Sequence, residues 1–383
     1  MLNQYLIFTP ATNGTVIEEW LQCRDQISGA IAEGNKPLKL SIFVNVPDYP
    51  AYVGVKEQIS GSVIESFSPD CPAFSITIHP PERPLKVAVE GLFISGDHPE
   101  IRTKFYRGVP YVVIGSEPEK EVWGAGLCND MLWEDTREAA CAGFDMVNEI
   151  LAAEGFSLNN IVRQWNYIGN ILEFRKGFQN YQVFNEVRNE YYSKFRSVAN
   201  YPAATGIGMK YGGVVLDFYA VSDNPSVKIR RVENPNQLNA YEYGQQVLKG
   251  LPWRNRPAKH PPQFERALLV VNNHGQNLFI SGTASIIGQE TIGKGDVREQ
   301  TIVTIENIKK LTDVERINQL LGDISLERGR FALIRVYIRE QADFEIVKEI
   351  CNEHFPDLPA LYIESDICRG DLLTEIEAEY IIS

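Results

Sequence analysis

Apolar and polar positions along this chain switch repeatedly between the two-residue period of strands and the wider period of helices. Residues 1–80 read as short apolar segments broken by turn residues, LKLSIFVNVP, GSVIESF and AFSITIHPP. One helix is predicted there, over Gly14–Glu33, with Ile17, Trp20, Leu21 and Ile31 as its apolar members. HPPERP at 79–84 marks a boundary or an extended edge. Strand patterns follow in VAVEGLFISG, PYVVIGSE and EVWGAGL. Ala140, Phe144, Val147, Ile150 and Leu151 then recur at helical spacing, predicting a helix over 136–155 that Gly155 stops. IVRQWNYIGNIL reads as a buried strand, NYQVFNEVRNEYYSKF as an amphipathic helix, YPAATGIG as a loop and VVLDFYAV as a strand.

Residues 223–262 are rich in Pro and Asn and carry too little apolar periodicity for a core, so they are expected to connect two domains. Beyond them the pattern restarts. ALLVV and NLFISGTASI read as strands with Asn273-His274-Gly275 as their hairpin turn; a helix over 299–311, the strand ALIRVYI and a helix over 343–354 follow. The expected division is an N-terminal domain over 1–222, a connection over 223–262 and a C-terminal domain over 263–383. Both domains run strands, helix, strand, helix, proline-led loop, strand. Asn148 and Asn307 fall 159 residues apart, and Pro202 and Pro359 fall 157 apart, which points to an internal duplication. LFISG occurs at 92–96 and at 278–282, off that offset, and reads as an accident.

The last stretch, FPDLPALYIESDICRGDLLTEIEAEY, concentrates the candidate chemistry. Asp366, Cys368, Arg369 and Asp371 precede a strand pattern in which Glu375, Glu377 and Glu379 share one face. Pattern alone makes that face a solvated sheet edge; the sharper reading has one carboxyl looking into a ligand cleft as a general acid.

Charge and composition narrow the alternatives. The net charge of −13 argues against a nucleic-acid surface. No run approaches a membrane span, and the N-terminal stretch lacks a basic segment and a long apolar run, so a cytoplasmic protein without a signal peptide is expected. Six cysteines without a CxxC pair read as reduced thiols. His79, His98, His260, His274 and His354 show no metal-ligand spacing, and no phosphate-binding glycine loop is present.

The order NLFISGTASI, a helix led by Gln300, RVYI, a proline loop and LLTEIEA resembles the RidA/YjgF superfamily. FNEVRNEYY, YPAATGIG, FISGTAS and DICRGDLLTEIEA narrow the resemblance to the chorismatase family, over roughly residues 85–383. It implies an α+β fold of two RidA/YjgF-like (chorismate mutase-like) halves, the first degenerate and spanning about 85–222, with mixed sheets and helices on one face. It also implies an enzyme that releases pyruvate from chorismate, with no metal or organic cofactor. A homotrimer and a monomer both stay open, and residues 1–80 receive no functional reading.

Within that resemblance Glu375 matches the family's essential glutamate and is the expected general acid, while Glu377 and Glu379 are left as solvated strand residues. Arg188 matches an arginine that binds a substrate carboxylate, and Arg266 is the candidate for a second clamp. Asn166 would hydrogen-bond a ring hydroxyl. Tyr243 (or Tyr241) would contact substrate, and Thr205 and Gly206 would wall the pocket. Gly282 and Cys368 resemble members that form 3-hydroxybenzoate, where hydrolytic members tend to have alanine. Hydrolysis to a dihydroxycyclohexadiene carboxylate and formation of 4-hydroxybenzoate are the rival outcomes. A RidA-like imine deaminase is disfavoured, because Ala203-Ala204 and Ala360-Leu361 stand where an arginine would follow the loop proline. A non-catalytic module that binds a small carboxylate is the rival from another class.

Overall fold

The computed structural model describes residues 2–95, 100–253, 256–273, 275–321 and 328–382. His98 and His274, and with it part of the predicted hairpin turn, lie outside the described residues. Three mixed sheets succeed one another along the chain. The first unit holds β1 (Leu2–Phe8), α1 (Val16–Ala32), β2 (Lys36–Val44), α2 (Tyr49–Phe67), β3 (Ala73–Thr77) and β4 (Val87–Ser95), in the order β1-β4-β2-β3. The second holds β5 (Ile101–Tyr106), β6 (Val109–Ile114), β7 (Glu121–Leu127), α3 (Thr136–Ala153), β8 (Ile161–Gly169), the short ribbon β9 (Phe174–Arg175) and β10 (Phe178–Gln179), α4 (Asn180–Phe195), β11 (Ala203–Met209) and β12 (Val214–Val221). Its sheet runs β5-β6-β7-β12-β8-β11.

The third unit holds β13 (Lys228–Val232), β14 (Ala267–Asn272), β15 (Gly275–Ala284), the ribbon β16 (Ile286–Ile287) and β17 (Glu290–Thr291), α5 (Val297–Leu311) and α6 (Val314–Leu321). It ends with β18 (Gly329–Ile338), α7 (Phe344–His354), β19 (Ala360–Glu364) and β20 (Thr374–Ile382), in the sheet order β13-β14-β15-β20-β18-β19. Without its leading hairpin each six-stranded sheet has the order and connections of the first. The two expected halves are thus the second and third units, and residues 2–95 repeat the same plan without the first two strands. Pro72-Ala73 leads β3 as Pro202-Ala203 leads β11 and Pro359-Ala360 leads β19.

Two boundaries move relative to the sequence reading. VAVEGLFIS pairs with β1 and β2 and closes the first sheet rather than opening the second. Lys228–Val232, inside the expected connection, is the edge strand β13. Helix α2 escaped the pattern because its buried Tyr49, Tyr52, Ile59, Val63 and Phe67 are spaced by small and polar residues, and Asp48 caps it without a charged first turn. LFIS lies in β4 and again in β15, strands of different rank in the shared order, so its recurrence has no structural counterpart.

Each unit packs its helices on one sheet face, giving three separate apolar cores. The other faces of the three sheets meet in a shared central core that includes Phe43, Tyr167 and Tyr337, one from each central strand β2, β8 and β18. Backbone links pass cyclically between units: Lys210 N donates to Ile78 O (3.2 Å), Gly208 N to Asp366 O (2.9 Å) and Glu364 N to Pro80 O (2.7 Å). Among the described residues no helix is long and apolar enough to cross a membrane.

Charge is also exchanged in a ring. Antiparallel register sets Glu90 opposite Ser41, Asp217 opposite Trp165 and Glu377 opposite Arg335, so the three acids hold equivalent places. Each accepts a buried cation from another unit: Asp217 from Lys39 (3.0 Å), Glu377 from Arg163 (2.8 Å) and Glu90 from Arg335 (2.6 Å). The bond from Arg335 is a two-pronged fork, Nε and Nη2 on the two Glu90 oxygens. Breaking such a pair strands a buried charge, a loss of about 3–5 kcal/mol.

Candidate active site

Strand β20 lies between β15 and β18, with no free edge. Its alternation sends Ile376, Ala378 and Tyr380 to the helix-side core and Glu375, Glu377 and Glu379 to the face shared with the other units. All three glutamates are buried, which corrects the solvated reading of Glu377 and Glu379. The approach to β20 is pinned by Gln300, which accepts from Leu373 N (2.7 Å) and donates to Asp371 O (2.9 Å).

Glu375 opens into a cleft of about 670 Å³ between the second and third units. Ala204 and Gly206 of β11 form one wall and Gly282 and Ala284 of β15 another. Cys368 and Arg369 enter from the loop after β19, and Tyr181 from α4. Tyr243, Val247 and Leu248, with Pro262, Phe264 and Arg266, roof it. That roof is held down by buried Glu186, which takes Arg256 Nη1 (2.8 Å) and His260 N (2.9 Å). The Pro- and Asn-rich stretch read as a connection therefore carries an edge strand and the roof.

Glu375 is 4 % exposed. Burial, reinforced by Glu377 and opposed by Arg266 and Arg163, raises its carboxyl to about 8, so it stays protonated at neutral pH. Glu377 is held the other way, below the usual carboxylate range: burial is outweighed by Arg335 and Arg163, with Thr205 and Trp165 donating to it. Two carboxyls two residues apart on one strand thus take opposite protonation states.

A side chain at Gly282 would collide with Glu375. A Cβ there would lie 2.0 Å from Glu375 Oε1 and 3.1 Å from Thr205 Cγ2. The sulfur of Cys368 is half-buried, and burial, with Glu375 nearby, pushes the thiol up to about 12. It is a neutral thiol rather than a thiolate nucleophile.

Arg266 is buried and donates to Leu238 O (2.6 Å) and Tyr243 Oη (2.6 Å). Arg369 gives Nη1 to Gln289 O (2.6 Å) and lies 5.0 Å from the Tyr243 ring centroid, while its buried Nη2 has no hydrogen-bond partner among the described residues. Lys249 stands exposed at the rim.

Of the sequence-predicted residues, Glu375, Arg266, Tyr243, Gly206, Gly282 and Cys368 meet in this cleft. Thr205 sits behind the wall: its hydroxyl donates to Glu377 and accepts from Arg163 Nη2 (3.0 Å) and Gly282 N (3.1 Å). Asn166 does not reach the cavity lining; its amide is used between strands, donating to Thr205 O (2.9 Å) and accepting from Gln164 (2.7 Å). Arg188 is buried on α4, held by Asn185 Oδ1 (2.7 Å), with Nε unpartnered, and does not line the cavity either. Tyr241 turns to Glu265 instead (3.4 Å).

Sequence reasoning did not assign Arg369, Tyr181, Phe264 or Lys249 to the site. Arg369 had a signal, its place directly after Cys368. The others carry none that distinguishes them from packing residues.

Three α+β units of RidA/YjgF-like type, closing a cleft over a buried protonated carboxyl and paired arginines, define the class. The family model for the N-terminal part of FkbO/Hyg5-like chorismatases matches residues 113–221, most of the second unit. A 3-hydroxybenzoate synthase from Streptomyces hygroscopicus is 36 % identical over 253 residues, 64 % of this chain and 68 % of that protein. A chorismatase from the same organism is 30 % identical over 286 residues, 67 % of this chain and 78 % of that protein. A solved chorismatase structure superposes with a TM-score of 0.68 at 20 % identity, covering 99 % of this chain and 98 % of that one. The chain belongs to the chorismatase family and is an enzyme of it, which sets aside the non-catalytic module.

Proposed function

We propose that this enzyme cleaves the enolpyruvyl ether of chorismate and releases pyruvate and 3-hydroxybenzoate, with Glu375 as the proton donor. The observation that carries the reading is a carboxyl kept protonated to about pH 8 in a cleft walled by Arg266 and Arg369. Chorismate is a dianion whose ether oxygen pushes electrons onto its terminal methylene carbon. Protonating that carbon creates an oxocarbenium ion, and the ether bond becomes labile. An ordinary carboxylate cannot donate a proton at pH 7; a buried neutral one can. With pyruvate expelled from C3, the neighbouring C4 hydroxyl closes onto C3 as it gives up its proton. The C4–O bond then opens, the oxygen regains a proton and the C3 hydrogen leaves as a proton. Pyruvate and 3-hydroxybenzoate together thus account for every atom of chorismate, with no net uptake of water.

Arg266 and Arg369 are the cations on the wall suited to the two carboxylates. Arg369 has an unpartnered Nη2 for one of them, and Arg266 is preset by Leu238 O and the Tyr243 hydroxyl. Arg188, buried on α4 with its Nε unpartnered, lies off the wall. Thr205 and Gly206 shape the wall, and Asn166 fixes it from behind. The Gly282–Glu375 contact and the adjacent neutral Cys368 favour the aromatising outcome, since both bear on where the acid's carboxyl stands.

The test is incubation with chorismate and chromatographic resolution of the products. Pyruvate with 3-hydroxybenzoate is expected, and Glu375→Gln should lose turnover by about 10²–10⁴-fold. A dihydroxycyclohexadiene carboxylate or 4-hydroxybenzoate in its place overturns the product assignment. Parent-level turnover by Glu375→Gln overturns the mechanism.

A further inference from the structure

Glu377 gathers more polar partners than Glu375 or Glu379, its neighbours on the same face of β20. Four groups from three strands converge on it: Arg163 Nη2 (2.8 Å), Arg335 Nη1 (2.7 Å), Trp165 Nε1 (3.0 Å) and the Thr205 hydroxyl. Arg335 is already matched by Glu90, and burial holds Glu379, 3.9 Å from Arg163 Nε, well above the usual carboxylate range, so Glu377 is the acid that neutralises Arg163. Thr205 carries the link onward by accepting from Gly282 N (3.1 Å), at the bulge against which the Glu375 carboxyl rests. A continuous path therefore runs from Arg163 through Glu377, Thr205 and the Gly282 backbone to the face of Glu375.

We infer that Glu377 is a positioning residue for the proton-transfer step: it contains the positive charge of Arg163 and Arg335 behind the cleft wall, so that Glu375 keeps its proton until substrate arrives, and through Thr205 it fixes the bulge that aims the Glu375 carboxyl. This rests on Glu375 being the proton donor. The physical reason is the reduced dielectric of the site, where an uncompensated guanidinium on the facing sheet acts more strongly than it would in water.

The groups around Glu375 fix the sign. Arg266 leads into β14, Arg163 lies on β8, Arg369 and neutral Cys368 come from the loop after β19, and Tyr181 and Tyr243 come from α4 and the roof. The arginines draw the proton off Glu375; Glu377 is the anion that opposes them. Neutralising Glu377 removes that opposition and unmasks Arg163, so both changes push the same way.

The experiment is infrared titration of the Glu375 carboxyl in substrate-free protein, its band identified by loss in Glu375→Gln, beside the pH profile of kcat/KM. Glu377→Gln should lower the Glu375 midpoint by a pH unit or more and carry the alkaline limb of the profile down with it. Glu377→Asp, which keeps the charge, should restore most of the shift. Arg163→Gln should move both readouts upward. An unmoved midpoint in folded Glu377→Gln overturns the inference; if that variant does not fold, an unmoved or lowered midpoint in Arg163→Gln overturns it. Thr205→Val should leave the midpoint within half a unit while lowering kcat, and a shift as large as that of Glu377→Gln would assign the effect to packing and overturn it. The infrared midpoint decides this without turnover, so a Glu375→Gln protein that retained activity would sink the functional reading alone.

Discussion

The cleft between the second and third units and the seam between the first and second are built from corresponding strands, yet only the cleft presents an acid. Both rest on the same link. Lys39, Asp217 and Ser75 in the seam repeat Arg163, Glu377 and Thr205, with Ser75 donating to Asp217 (2.8 Å). Both have a bulge with a glycine, Gly126 in the seam and Gly282 in the cleft. The differences are local. Two residues before Asp217 stands Val215, where Glu375 stands before Glu377. After Pro72-Ala73 comes Phe74, where Ala204 follows Pro202-Ala203. The Phe74 backbone closes over Gly126, whose notional Cβ would lie 2.5 Å from Phe74 O. The repeated scaffold supplies a charge-balanced wall, and in the proposed reading a single carboxyl with small neighbours turns the cleft into the reaction site.

The largest expected effect that tests this contrast falls on Glu375. Its change to Gln should remove turnover, while Val215→Thr should leave kcat/KM within about twofold, as for a change remote from the chemistry. A comparable loss from Val215→Thr would show that the seam contributes to catalysis.

Next in size are the two bulge glycines. Gly282→Ala must turn the Glu375 carboxyl aside, because its tip and not backbone is the obstacle. It should lower 3-hydroxybenzoate output at least tenfold and shift the products toward the non-aromatic diene acid. Gly126→Ala meets backbone at a positive φ of 73°, so it should cost stability, about 1–3 kcal/mol, with the product ratio unchanged. Chromatography and thermal melts on both variants separate the roles.

A smaller effect is the pH dependence. A general acid that titrates at about 8 gives a kcat/KM that is flat below and falls as pH rises through that value. Stability follows the same group. Its native value lies above the unfolded carboxyl value, so the unfolded chain binds fewer protons, and native stability declines as pH rises from the unfolded value to about 8. Glu375→Gln should therefore melt above the parent at pH 9, with the difference shrinking toward pH 5. A constant difference would place Glu375 in an ordinary carboxylate environment. The seam has no counterpart, so Val215→Thr should leave this dependence unaltered.

Much of this was legible in the chain. Helix α4 was read from its pattern with the bounds it has, whereas YPAATGIG, read as a loop, carries strand β11. The first unit's kinship was not, because it lacks the leading hairpin and its helix α2 has a weak apolar stripe. Alternating glutamates look like a wet edge whenever the strand's neighbours are unknown; burial of TEIEAE depends on β15 and β18 flanking it and on two other units covering its polar face. The roof was misread for a related reason. Its residues form one small apolar cluster, Ala240, Tyr243, Val247, Leu248 and Phe264, and are otherwise tied to α4 through Glu186, so they show no regular period. Asn166 and Arg188 were drawn toward substrate by resemblance, and their hydrogen bonds place them behind the wall and on α4 instead.

Joining the three units in one chain changes what a single codon can do. In a ring of identical subunits every substitution appears three times, and an acid suited to one opening would be forced into the other two. Here the equivalent strand position is Ala88 in the first unit, Val215 in the second and Glu375 in the third. With the three positions encoded separately, an acid can stand at one of them while the other two stay apolar.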